Sequence, residues 1–476
     1  MRFASSGLVL TALASIIATT YALEHDARAC GGCIGESTTV VTDHRMILTV
    51  GQDQSTLYDQ IRYTGNPASF AWVLPISGTV DVGLSADVVF QTLDQLTTTR
   101  IVAPPQNCAG PKNACPAHSA EAGVALPAPE GSGGGVTVTK TEVVGPYETV
   151  QLKATDANAL ETWLTMNGFS VPADVKPVID TYVAEHFDFL AMKLLPGQGV
   201  TSMRPVRVTT HGANVVLPLR MVAAGTGATV GITLWVLGDG RYEPQNFPMF
   251  FIGADEIAWD WTQNKSNYVT LRAQKTAAAG GRGWELENAT TQDAAAIESN
   301  VMFGSSSGGS GPDAAPSYLP VTDAQGAVLK TATQVRDEDL ATLLHGAAMP
   351  HVTRLRADLA HAALDADLVM KASTDQADVP TFRQAKLELN EPQCPIYDGC
   401  TVVGNAPRSQ AAAQSKEEDP SSPLVAGTGS SSGSSSSCAL GGGSASPLGF
   451  AASAGFLALS LARARRRRRA PVLDKR

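Results

Sequence analysis

Residues 187–240 read FDFLAMKLLPGQGVTSMRPVRVTTHGANVVLPLRMVAAGTGATVGITLWVLGDG, and the fold class turns on them. Runs rich in β-branched and other apolar residues, Phe189–Leu194, Val206–Thr210, Val215–Val222 and Thr229–Leu237, follow one another with Gly, Pro and Asn clusters between. That is the pattern of successive strands. Gly238-Asp239-Gly240 is a turn signal feeding Arg241–Glu243. Just upstream the period changes. Asp156 caps a helix that ends before Gly168, with Leu160, Trp163 and Leu164 facing inward. Asp174 opens a second, with Val175, Val178, Ile179, Tyr182 and Val183 at i, i+3, i+4, i+7 and i+8. Before the pair lie strands at Val136–Val144 and Thr149–Leu152. Strands with a helix pair inserted imply an α+β fold with a mostly antiparallel sheet.

Working outward, Val40–Val50, Leu57–Tyr63 and Phe70–Leu74, punctuated by Gly51-Gln52-Asp53 and Gly65-Asn66-Pro67, read as a three-stranded antiparallel meander. Ser85 caps a helix to about Thr98, with Val89, Leu93 and Leu96 on one stripe. Pro104–Gly135 is a long surface loop. Gly304–Pro316, GSSSGGSGPDAAP, is a linker or an insertion, and helices are expected at Asp337–His345 and around Ala357–Leu368. The resulting division is a signal peptide over 1–29, an α+β ectodomain over 30–303 and the linker over 304–316. A helical and disulfide-loop continuation follows over 317–409, then a disordered stalk over 410–437 and a sorting or anchor segment over 438–476.

Both ends read as address signals. Arg2 precedes the apolar run Leu8–Ala18, and small residues offer cleavage after Ala29 or after Ala22. At the other end a Ser/Gly spacer leads to Cys438, a 15-residue apolar stretch Leu448–Ala462, and six arginines within residues 463–469. The stretch falls short of the roughly 20 residues that span a bilayer, and the arginines stay on the cytoplasmic side. The expected address is the cell surface or outer envelope, with a periplasmic or released protein as alternatives. The expected partners are the membrane, through a short C-terminal hydrophobic helix, and an envelope-sorting protease. Formal net charge is −10, and residues 30–437 alone carry 25 basic and 42 acidic side chains, a net of −17. Such a body repels phosphate backbones, which argues against nucleic acid as a partner.

Six cysteines fall in three close pairs, Cys30/Cys33, Cys108/Cys115 and Cys394/Cys400, leaving Cys438 over. Proximity suggests local disulfides, although six cysteines allow 15 connectivities. The order of spacer, cysteine, short hydrophobic helix and arginine run resembles the myxobacterial C-terminal sorting signal. That resemblance implies cleavage by a membrane-embedded protease and a processed Cys438 that tethers the chain. Several phrases of the body also resemble one family. These are CGGC at Cys30, HRMILTV from His44, QIRYTGNPASFAWVLP from Gln60 and FLAMKLLPG from Phe189, followed by MRPVRV, LPLRMVAAGTG and ITLWVLGDGRYEPQNFP; together they look like the bacterial domain of unknown function 2330. The resemblance spans about Cys30–Val369 and implies an exported envelope domain with no assigned activity, so it transfers no site residue.

The chemistry-bearing patterns are few. Asp255-Glu256-Ile257-Ala258-Trp259-Asp260-Trp261 combines three carboxylates with two aromatic platforms, as sugar-cleaving sites do. On a strand, however, Trp259 and Trp261 share one face, most simply the core. The CxxC of Cys30 and Cys33 suits a structural disulfide better than a redox pair, because Gly-Gly opens no helix. Zinc through Cys108, Cys115 and His118 lacks a standard spacing. Gly-x-Ser-x-Gly occurs only in Ser/Gly-rich segments, around Ser306 and Ser431, and Gly225-Thr226-Gly227 precedes a strand. No motif asks for a cofactor or a resident metal. The sequence therefore favours a non-enzymatic binding or structural ectodomain. The alternative is a cell-wall or polysaccharide hydrolase using Asp255, Glu256 and Asp260.

Overall fold

The computed structural model describes residues 33–34, 40–64, 71–112, 140–153, 157–166, 175–195, 203–223, 228–306, 318–323 and 326–417. All of them lie in the unit Met1–Glu418. The expected signal peptide, Cys30, Cys115, Asp156, Asp174, Cys438 and the C-terminal apolar stretch lie outside the described residues. Among the described residues no helix is long and apolar enough to cross a membrane.

The fold is α+β and its centre is an eight-stranded sheet. In spatial order its strands are Met249–Phe250, Trp284–Thr291, His351–Ala360, Thr229–Gly238, Val40–Val50, Gln54–Thr64, Val206–His211 and Asp81–Leu84. Two pairings are parallel, Met249–Phe250 with Trp284–Thr291 and Thr229–Gly238 with Val40–Val50. The others in this sheet are antiparallel. Thr229–Gly238 reads as an almost unbroken apolar run because both of its faces are buried. Trp235 and Leu237 pack with Ile47, Tyr58, Phe90 and Leu93 on one side. Leu234 and Val236 pack with Met46, Leu48, Leu286 and Leu355 on the other.

A second, antiparallel sheet runs Cys33–Ile34, Ala71–Ile76, Asp188–Leu194, Tyr147–Leu152, Lys140–Val144. The expected helix pair, observed as Ala157–Met166 and Lys176–Ala184, connects two of its neighbouring strands. Leu160, Leu164, Val175, Ile179 and Tyr182 pack on Val73, Leu152 and Phe189, so the predicted stripes are the ones buried. Each such side chain contributes about 1.5–3 kcal/mol on full burial.

The structure corrects several local expectations. Val40–Val50 and Gln54–Thr64 form a hairpin, but Ala71–Ile76 leaves for the second sheet, so there is no meander. Ser85 does not cap Asp87–Thr97; Ala86 occupies that position, and the Ser85 hydroxyl donates to buried Asp339 at 2.7 Å. Val215–Val222 is not one strand: Pro218 ends a two-residue strand, Val216–Leu217, and Leu219–Ala223 is helical. Tyr242–Pro244 pairs with Leu368–Ala372, so the turn at Gly238–Gly240 closes no hairpin. The helix expected around Ala357–Leu368 is instead the strand His351–Ala360 and a 3-10 turn, His361–Ala363. Leu355, Ala357 and Leu359 alternate with Arg354, Arg356 and Asp358 as a strand requires, whereas the helix expectation followed the Ala- and Leu-rich composition of 357–368. Helix Ala294–Ser306 runs only into the first residues of the expected linker, and helix Arg408–Gln414, with Ala411 buried, into the first residues of the expected stalk. Helix Ala332–Leu344, longer than expected, starts at Thr331 with a capping box to Gln334.

Across one face of the central sheet lies a buried chain of charges. Arg354 Nε donates to Glu287 at 2.5 Å and its Nη1 to Asp94 at 2.6 Å. Arg272 bridges Glu285 and Glu287 at 2.6 and 2.5 Å. Arg45 reaches Asp94 at 3.2 Å. The guanidinium groups of Arg45 and Arg354 lie 5.2 and 5.1 Å from the Trp235 ring. Burial pushes Asp94 up, but Arg354 and Arg45 outweigh it and hold its carboxyl below the usual range.

The expected local disulfides at Cys108/Cys115 and Cys394/Cys400 are not formed. Cys108 bonds Cys394 across 286 residues, with Cα atoms 5.4 Å apart. Cys400 is in a disulfide of its own. An extended strand rises about 3.3 Å per residue. Cys394, near the start of Gln393–Asp398, and Cys400, in the turn beyond its end, therefore stand outside bonding reach.

Candidate functional site

The acidic and aromatic cluster sits where the chain turns into a short strand. Ala258–Asp260 pairs antiparallel with Lys265–Ser266 and parallel with Leu387–Leu389. Trp259 and Trp261 lie together with rings 6.3 Å apart and edge to face, but both are half-buried at the surface and not in the core where their spacing suggested. Glu256 takes the Lys275 ammonium at 2.7 Å and the Gly253 N–H at 3.1 Å, and these donors hold its carboxyl below the usual carboxylate range. Asp260 accepts from the backbone N–H groups of Gln263 at 3.1 Å and Thr262 at 2.8 Å, and from Asn390 at 3.2 Å. Those bonds hold it low as well, the Gln263 N–H first. Asp255 is exposed on the turn. A glycosidic acid needs a carboxyl kept protonated by its surroundings. Glu256 and Asp260 are instead tied down as anions that shape a loop.

Among the described residues no group of three or more His, Cys, Asp or Glu is arranged to hold a metal ion. Cys33 opens a short strand against Trp72, while Cys30 of the same motif lies outside the described residues. His44 is buried beside Asp59, 3.5 Å away. His351 is buried with both ring nitrogens lacking a hydrogen bond among the described residues, and Asp378 lies 3.9 Å off. Burial, with Arg241, lowers its pKa against the pull of Asp378.

The concavity that the fold builds lies elsewhere. Val40–Val50 and Thr229–Gly238 run parallel and finish together, with Thr49 opposite Leu237. Their exits, Gly51–Gln54 and Gly238–Asp239, with the C-terminal end of helix Ala332–Leu344, enclose a cleft of about 550 Å³. Its lining combines Val50, Gln52, Gln54 and His345 with the exposed Asp53 and Asp239. His345 ends the helix in the left-handed conformation, φ 48°. Its Nε2 lies 2.8 Å from the Thr49 hydroxyl, and burial lowers its pKa. Gly51 allows this approach, since a Cβ there would sit 3.4 Å from His345 Nδ1 and 3.0 Å from the Gln54 carbonyl. The volume falls in the range of small-molecule sites.

None of the cleft residues was singled out from sequence as a site. Gly51-Gln52-Asp53 and Gly238-Asp239-Gly240 read only as turn punctuation. What unites them is the parallel pairing of strands about 180 residues apart, which local spacing does not announce.

A family model described as an uncharacterized protein conserved in bacteria, DUF2330, matches residues 25–303. No curated protein and no solved structure matches the chain.

Proposed function

This chain belongs to the DUF2330 family of uncharacterized bacterial proteins, and from that premise we propose that it is an exported, non-catalytic domain displayed at the cell envelope. The observation that carries the reading is the Cys108–Cys394 disulfide, which spans 286 residues and closes on a fully buried sulfur at Cys394. Disulfides of this kind persist in oxidising compartments and are rare in the cytosol. The signal-like Met1–Ala29 and the Cys438, apolar and arginine tail give the same address from the two ends. A binding role is favoured over hydrolysis because Glu256 and Asp260 are engaged as anions in loop structure, and because at the cleft the Thr49 hydroxyl paired with His345 is fully buried and does not line the cavity.

Mass analysis of both termini of the native envelope protein tests the address. The expected result is loss of Met1–Ala29, or of Met1–Ala22, removal of the arginine run, and a modified Cys438. A full-length chain in the cytosol, both termini intact and its thiols open to alkylation, refutes it. Incubation with cell-wall and glycan panels tests the role. Turnover abolished by Glu256→Gln or Asp260→Asn would replace the binding reading with a hydrolase.

A further inference from the structure

We propose that Cys400 is bonded to Cys115, so that two neighbouring disulfides, Cys108–Cys394 and Cys115–Cys400, fasten the residues after Val102 to the C-terminal hairpin. The pairing goes beyond the envelope reading and draws on it only for the oxidant.

Cys108 bonds Cys394, and Cys400 is disulfide-bonded to neither of them. Within the chain its partner is therefore Cys30, Cys33, Cys115 or Cys438. Cys400 stands in the turn of a hairpin, Gln393–Asp398 with Thr401–Pro407, just after Gly399 at φ 60°. Beside the open end of that hairpin, Arg408 Nη1 donates to the Gln106 carbonyl at 3.2 Å. One step inside it, Cys394 pairs with Ala406 and bonds Cys108. The segment carrying Gln106 and Cys108 thus enters at the open end and heads toward the turn. Six residues of extended chain put Cys400 at most about 20 Å from Cys394, and seven residues let Cys115 reach about 23 Å from Cys108.

Ring size selects the same residue. Once Cys108–Cys394 has formed, joining Cys115 to Cys400 closes a ring of about 15 residues, against about 80 through Cys33 and about 40 through Cys438. The smaller ring gives Cys115 a roughly tenfold higher effective concentration than Cys33 and a roughly fourfold higher one than Cys438. It also leaves Cys30 and Cys33 for each other, with Cys438 as the odd cysteine. The hairpin and its helix need the fastening: the core they share is Cys394, Ala406 and Ala411, with Cys108 and Ile396 against it, too little to order on its own. As the bond forms, the two thiols give up two protons and two electrons. An exogenous disulfide takes them by exchange, one thiolate attacking it and the second displacing the mixed disulfide, and it leaves reduced to thiols.

The test uses full-length protein oxidised in a glutathione redox buffer, alkylated without reduction and digested with trypsin and an Asp-N endoprotease. Lys112 separates Cys108 from Cys115, and Asp398 separates Cys394 from Cys400. Fragmentation mass spectrometry is expected to find the Cys115 peptide linked to the Cys400 peptide, and the Cys108 peptide to the Cys394 peptide. In Cys115→Ser, Cys400 should become alkylatable, whereas in Cys30→Ser it should stay blocked. The proposal is overturned if Cys400 is joined to Cys30, Cys33, Cys438 or a second chain, or is alkylated in the parent protein. Failure of the pairing in this buffer leaves the envelope address standing, and a reduced chain in the cytosol would refute the address while leaving the pairing intact.

Discussion

Arg354 offers the sharpest test of how the central sheet is held. Its side chain is 8% exposed, donates to Glu287 and Asp94 at 2.5 and 2.6 Å, and lies 5.1 Å from the Trp235 ring centroid. Removing one partner of a buried ion pair costs about 3–5 kcal/mol, because the other charge is left uncompensated. Here both carboxylates keep a second arginine, Glu287 through Arg272 at 2.5 Å and Asp94 through Arg45 at 3.2 Å. That places the electrostatic loss near the lower end, about 3 kcal/mol. The stacked guanidinium adds about 1 kcal/mol. Arg354→Ala is therefore expected to cost about 4 kcal/mol in urea unfolding followed by tryptophan fluorescence. Arg354→Met, which keeps an apolar stem against Trp235, should recover about 1 kcal/mol of it. A cycle with Glu287→Ala should give a coupling of about 1–3 kcal/mol. If Arg354→Ala costs less than about 1 kcal/mol, these groups behave as a screened surface pair and the network does not hold the sheet together.

Other consequences are directly measurable. Folding lowers the pKa of His345 and of His351 from near 6.5, so the unfolded chain takes up protons first as pH falls. Stability should therefore drop as pH is lowered through that value, and His351→Gln should flatten the slope of the unfolding midpoint between pH 7 and 5. Cys108→Ser/Cys394→Ser should make residues 390–417 more open to limited proteolysis while near-UV circular dichroism of the buried Trp235 and Trp284 is retained; loss of that signal would mean the bond supports the whole fold. Glu256→Gln breaks a half-exposed pair with Lys275 and should change stability by no more than about 1 kcal/mol.

Where one period dominated, the chain was legible. Leu160, Leu164, Ile179 and Tyr182 repeat at helical spacing on one side only, so their helices and buried faces could be read directly. Val40–Val50 was legible to the residue because Gly51 and Asp53 bracket its turn. His351–Ala360 was not, although Leu355, Ala357 and Leu359 alternate with Arg354, Arg356 and Asp358; the Ala- and Leu-rich composition of 357–368 carried the helical reading over that period-two signal. The cysteines misled for a related reason: nearness in sequence ignores the extended strand that separates Cys394 from Cys400. In the acidic cluster the shared face of Trp259 and Trp261 was readable, whereas the donors that claim Glu256 and Asp260 combine backbone N–H groups of a turn geometry the sequence does not fix, at Gly253, Thr262 and Gln263, with the distant Lys275 and Asn390. The cleft needed the pairing of Val40–Val50 with Thr229–Gly238, a long-range fact by nature.

The position of His351–Ala360 also bears on how the protein comes to be. It lies between Thr229–Gly238 and Trp284–Thr291 and hydrogen-bonds to both, yet it follows them in the chain by more than fifty residues. A polypeptide ending at residue 303, where the family match stops, would carry two bare β-edges and leave part of each hydrophobic layer uncovered. During synthesis the first three hundred residues must wait, unlocked and adhesive, until this late segment has emerged and threaded into the gap. On the export proposed above, that delay would be an advantage: the chain would stay unfinished, and so passable through a narrow pore, almost to the end of its own production.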